Sequence, residues 1–187
     1  KVKGTWFKAA TVFSSDQVDG WVSPALPDQV DQTVTLANVD AFIASTGADI
    51  RFSSHGGCYF SPTENFIHMV PREQFIATPT ATATECFYST MLHELVHWSG
   101  HKSRLDRLDL KNKHGYAVEE LIAEIGSAIL CTNLGVSIEP QPDHAQYIAG
   151  WLQALKGDKS YIFKAAAAAQ KAVDFLDSLQ AAQEVAA

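Results

Sequence analysis

The sequence predicts an α+β fold, a small antiparallel sheet packed on a long central helix, with a C-terminal helical part beyond it. Three observations carry that expectation. Between residues 48 and 70, short runs rich in β-branched and aromatic side chains are separated by turn residues, as in strands. After residue 80 the apolar period lengthens to about 3.6 residues. The 187 residues are 47% hydrophobic, enough for one sizeable core and too unbiased for a fibrous or disordered chain.

In chain order, TWFKAATVF at 5–13 has the composition of a strand, and a loop with Pro24 and Pro27 follows. NVDAFIASTG reads as a short helix that Asn38 caps and Gly47 ends. ADIRF is a strand, SSHGGCYF puts a Gly-Gly turn before a second, and NFIHMV is a third that runs to Pro71, so residues 48–70 form the sheet. PREQF resembles a helical turn. Thr82 and Glu85 have capping-box spacing, and Phe87, Met91, Leu92, Leu95, Val96 and Trp98 run on to Gly100, giving a helix over 83–99. HKSRLDRLDLKNKHG is a polar connection. Helical spacing resumes through Leu121, Ile122, Ile125, Ile129 and Leu134 and stops at a glycine. A further helix is expected over roughly 143–156. The last runs from Ser160 to about Gln180 on Ile162, Ala166, Ala169, Val173 and Leu176, with an alanine face that admits a close neighbour.

Composition narrows the function classes. No apolar run approaches the length of a membrane span, and residues 1–20 lack the pattern of a signal peptide, so the chain reads as soluble and cytoplasmic. A formal charge of -7 and a pI near 5.4 disfavour binding to phosphate backbones. Cys58, Cys86 and Cys131 form no CxxC pair and read as small buried hydrophobes. The chain starts at Lys1 and opens in strand-like alternation, which suggests a piece of a longer protein.

The chemistry is concentrated in HELVH, residues 93–97. His93 and His97, four apart, share one face of a helix and can grip one cation, while Glu94 is rotated about a quarter turn away and can reach a water beside it. This is the HExxH arrangement of zinc sites with a glutamate as general base. With seven histidines and nine glutamates in the chain, roughly 0.01 chance occurrences are expected. A hydrogen-bonded pair of core histidines is the competing reading. A catalytic site needs a third protein ligand. Glu120 and Glu124 share a face of the next helix, which suits one as ligand and the other as acceptor for the ring N–H of a ligating histidine. Glu119 reads as solvated or paired with the loop arginines. His55, His68, His101 and His114 read as ordinary polar or solvated groups, Arg104 and Arg107 as surface bases, and Trp98 and Trp151 as core. Tyr116, a turn before Glu120, can donate to a developing oxyanion or sit at the core edge.

STMLHELVHWSGHKSRLDR, YAVEELIAEIGSAIL and DHAQYIAGWLQALKGDKSYIFKAAAAAQKAVDFL resemble the C-terminal zincin-like metallopeptidase domain of the ArdC family of antirestriction proteins and related plasmid-borne, primase-like proteins. The resemblance covers about residues 5–180. More distantly, ELIAE is similar to the ExxAD segment of gluzincin peptidases, with Glu where Asp is usual. It implies a gluzincin-type fold and a zinc ion, with manganese or cobalt as alternatives, held by His93, His97 and Glu120. Glu124 would orient a histidine, and Glu94 would be the catalytic base. It also implies that residues 1–20 are the tail of an N-terminal single-stranded DNA binding domain or a linking strand, and that residues 21–187 are the metallopeptidase domain. The expected partner is a protein or peptide substrate, such as a host restriction-system protein, with single-stranded DNA bound only through the N-terminal domain and no membrane involved. Two functions follow: a metalloendopeptidase, whose substrate adds as a strand to a sheet edge formed by FIHMV, or a metal-stabilised module that blocks a defence protein without cutting it.

Overall fold

The computed structural model describes residues 20, 32–78, 80–108, 113–136 and 160–184. Their elements are α1 (Gln32–Ser45), β1 (Ile50–Phe52), β2 (Tyr59–Ser61), β3 (Phe66–Met69), a 3-10 turn (Arg72–Gln74), α2 (Ala83–Ser99), α3 (Lys113–Leu134) and α4 (Tyr161–Glu184). The chain divides into residues 1–30, of which only Gly20 is described, and residues 31–187, which hold all these elements. The strand expected over 5–13, the helix over 143–156 and Trp151 lie outside the described residues. The α+β class stands, and no described helix is long and apolar enough to cross a membrane.

The sheet is mixed rather than wholly antiparallel. Its order is β1-β3-β2, with β1 parallel and β2 antiparallel to β3. The Pro62–Asn65 turn closes β2 onto β3, and Asn65 takes its left-handed φ of 60°, a conformation Asn tolerates. The segment from Ser53 to Asn65 contains β2 and gives β1 the crossover length that parallel pairing needs. FIHMV is therefore the central strand, paired on both sides, and cannot be an edge. All four residues of β3 are buried, with Ile67 and Met69 fully so.

α2 begins as the sequence requires. The Thr82 side chain accepts from Glu85 N–H and the Glu85 carboxylate accepts from Thr82 N–H, completing the capping box. The helix packs on β2 and β3 and on α3 and α4, so Met91, Leu92, Leu95 and Val96 are essentially inaccessible. α3 approaches it closely at Gly126, where a Cβ would lie 2.9 Å from Val96 Cγ2. α4 presents Ala165, Ala169, Ala172, Val173 and Leu176 inward, while the expected Ile162 and Ala166 are exposed. α1 starts before Asn38, so Asn38 is an exposed residue within the helix and not its cap. Its buried residues Val39, Phe42 and Ile43 pack into the common core, and Gly47, at φ 65°, ends the turn that follows.

Candidate metal centre

Because α2 is regular from its cap to Ser99, His93 and His97 stack on one face, ring centroids 4.8 Å apart and planes at 79°. Their Nε2 atoms lie 3.1 Å from one another. Glu120 on α3 completes the group: Oε2 is 3.6 Å from His93 Nε2 and Oε1 is 3.6 Å from His97 Nε2. Atoms of these three residues all lie within 4.8 Å of one another. Ligands about 2.0–2.1 Å from one tetrahedral ion stand about 3.3 Å apart, so the spacing suits a small divalent cation.

The far sides of the rings decide what the near sides can hold. His97 Nδ1 is 3.0 Å from Glu119 Oε1, and His93 Nδ1 is 3.7 Å from Glu124 Oε1. A carboxylate only accepts, so the hydrogen-bonded Nδ1 of His97 carries the proton and its Nε2 presents a lone pair; Glu124 faces His93 Nδ1 beyond hydrogen-bond distance and favours the same tautomer there. In that state two lone pairs and a carboxylate facing one another repel unless a positive charge stands between them. The donor set therefore fits a metal ion. In its absence a proton is the substitute: burial disfavours charge on His93, but the Glu120 hydrogen bond and the charges of Glu94, Glu124 and Glu120 outweigh it and raise its pKa. Against the effect of burial, the His93 hydrogen bond and the charges of His97 and His93 lower the Glu120 pKa, helped by a Tyr116 hydrogen bond.

Glu94 is 7% exposed, and its carboxylate accepts from the Phe60 backbone N–H on β2. Burial raises its pKa, although the neighbouring His97 and His93 pull it down. These groups open onto a cleft of about 350 Å³ walled by Cys58, Tyr59, Phe60, Leu108 and Tyr116. Tyr116 is half exposed there.

Several sequence expectations change. Glu119 is 4% exposed, not solvated; it does pair with a loop arginine, accepting from Arg107 Nε at 3.1 Å and Nη2 at 2.8 Å. Arg107 also donates to Ser99 Oγ at 2.7 Å and to the Val96 carbonyl. Arg104 donates to the Trp98 carbonyl and to Asn65 Oδ1 and stacks 3.7 Å over the Trp98 ring, and burial lowers its pKa to about 10. Neither arginine is a free surface base. His101 is buried with Ser103 Oγ on Nδ1, and His68 is buried between the Gly57 carbonyl and Ser53 Oγ. His55 is exposed, and the His114 side chain lies outside the described set. Cys86 and Cys131 are buried as expected, Cys58 only partly. Sequence reasoning anticipated an arginine partner for Glu119 but missed that the pair is buried against His97, and it missed the part played by β2; the adjacent Glu119 and Glu120, on a helix otherwise apolar toward α2, were the available signal.

A family described as zincin-like metallopeptidase matches residues 37–168. The chain is 41% identical over 175 residues to the uncharacterized protein y4eC of Sinorhizobium fredii, covering 91% of this chain and 53% of that one. It is 41% identical over 170 residues to the DNA primase TraC of Escherichia coli, covering 89% of this chain and 15% of the primase. Two crystal structures of the antirestriction ArdC protein from plasmid R388 superpose on it. The metal-free form has a TM-score of 0.69 at 44% identity, covering 90% of this chain and 59% of that one. The Mn(II)-bound form has a TM-score of 0.66 at 43% identity, covering 89% and 60%. The chain thus spans about half the length of y4eC and a small part of the primase.

Proposed function

The chain belongs to the zincin-like metallopeptidase family, and from that premise we propose that it is a metal-dependent endopeptidase domain of an ArdC-like protein. The observation that carries this reading is the convergence of two imidazole lone pairs and the Glu120 carboxylate beside the buried, pKa-raised Glu94. His93, His97 and Glu120 would hold the ion, with Glu124 and Glu119 accepting from the histidine Nδ1–H groups. A bound divalent ion supplies Lewis acidity and lowers the pKa of water. Zinc is the expected metal on affinity grounds, while the Mn(II)-bound relative supports manganese as an occupant of the same kind of site.

Glu94 takes the proton from the attacking water and returns it to the leaving amine. Its raised pKa makes it a better proton acceptor than an ordinary carboxylate. The peptide lies along β2, which among the described residues pairs only with β3; on the other side Glu94 takes the Phe60 N–H, and the substrate pairs with the backbone groups left there. This replaces the FIHMV edge expected from the sequence. Tyr116, half exposed in the cleft, donates its hydroxyl to Glu120, and turned from that carboxylate it would donate to a developing oxyanion.

The Glu94→Gln variant tests the reading: the ion stays while hydrolysis of an unfolded protein substrate falls by about 10²–10⁴-fold. Undiminished cleavage would remove Glu94 as the base. A net charge of -7 favours a second reading, a non-cleaving module whose acidic surface competes with DNA for a basic groove of a defence protein. Under that reading Glu94→Gln leaves antirestriction intact, and His93→Ala removes it.

A further inference from the structure

We infer that Arg107 is a positioning residue of the metal centre, whose guanidinium, seated in the space that Gly100 leaves, fixes the Glu119 carboxylate and through it the ring of His97. The inference rests on the metal reading above and extends it to a residue outside the cleft lining. A carboxylate as buried as Glu119 needs hydrogen-bond donors for its oxygens. Arg107 supplies a two-pronged one, Nε on Oε2 and Nη2 on Oε1. Oε1 is then shared between Nη2 at 2.8 Å and His97 Nδ1 at 3.0 Å, which leaves the imidazole one lone-pair direction to address. The ring is held with its proton on Nδ1 and Nε2 facing Glu120.

The remaining bonds of Arg107 anchor the carboxylate to the helix it serves. Nη1 donates to Ser99 Oγ and Nη2 to the Val96 carbonyl, two residues after and one residue before His97. One guanidinium therefore ties Glu119 of α3 to the turn of α2 that carries the ligand. Gly100 gives it room. The backbone there is right-handed, at φ -78° and ψ -8°, so no conformational demand requires glycine. A Cβ, however, would sit 2.9 Å from Arg107 Cζ, 3.1 Å from its Nη2 and 2.9 Å from Leu108 Cδ2. Lysine has the charge but not the fork and cannot make these bonds together.

The test is zinc affinity of the full chain, measured against a competing chelator, with circular dichroism reporting the fold. Arg107→Ala, Gly100→Ala and Glu119→Gln each weaken zinc binding by about 10–100-fold, and Arg107→Lys does not restore it. Gly100→Ala keeps every polar group and carries the comparison where Arg107→Ala does not fold. Because Arg107 acts through Glu119, the Arg107→Ala/Glu119→Gln double variant binds within about twofold of Glu119→Gln. Wild-type affinity in Arg107→Ala or Gly100→Ala, or a double variant showing the product of the two losses, overturns the inference while the metal site stands. A wild-type chain that takes up no zinc overturns both.

Discussion

His93 and His97 meet through ring nitrogens 3.1 Å apart, and what stands between them depends on pH. The carboxylates around His93 raise its pKa above 6.5, so the metal-free ring is protonated below that raised value. A cation must displace this proton. Zinc affinity therefore falls as the pH drops, beginning above 6.5 and by up to about tenfold per unit. Titration calorimetry in buffers of different ionisation enthalpy would register the released proton. In Glu124→Gln, which removes one of the raising charges, the fall in zinc affinity starts at lower pH; an unchanged profile contradicts the role given to Glu124. At this scale the sequence was legible where chemistry sits at fixed helical offsets, as in His93/His97 and Glu120/Glu124. The arginine partner of Glu119 was anticipated but its burial was not, because that depends on Arg107, which comes from a connection with no periodicity to reveal where its side chains go.

The helices put those atoms within reach, and α3 can do so because Gly126 lets it approach Val96. Gly126→Ala would press a methyl into Val96, pushing α3 and Glu120 away from α2. A loss of about 1–3 kcal/mol in denaturant unfolding is expected, with partial recovery in the Val96→Ala/Gly126→Ala double variant. α2 is also tied to α1 and to the 3-10 turn: Tyr88 donates to Asp40 Oδ1 at 2.6 Å and accepts from Arg72 at 2.7 Å, while burial and Asp40 push its pKa up to about 12. Tyr88→Phe should cost about 1 kcal/mol and leave zinc affinity unchanged, separating support of the fold from support of the site. α2 was readable to its ends because a capping box is a local signal. The sheet was not, since alternation identifies strands but not their partners, and the choice between parallel and antiparallel for β1 lies in how the Ser53–Asn65 connection runs. The glycine after α2 was legible as a boundary, but its reason, room for Arg107, is tertiary.

Across the whole molecule, metal and fold are linked. A ligand that binds only the folded chain stabilises it by about 2.7 kcal/mol at a hundredfold excess over Kd. For a domain of this size that corresponds to roughly 5–10 °C in Tm, reversed by a chelator and absent in His93→Ala. The acidic balance that argued against nucleic acid in the sequence applies to the described domain as well, which should show no salt-dependent affinity for single-stranded DNA. The central claim is that one divalent ion is held by His93, His97 and Glu120, and anomalous diffraction from crystals grown with zinc tests it most directly. The account predicts a single peak about 2.0–2.2 Å from both Nε2 atoms and a Glu120 carboxylate oxygen. Two imidazoles hydrogen-bonded to each other, with no anomalous peak between them and Glu120, would contradict it.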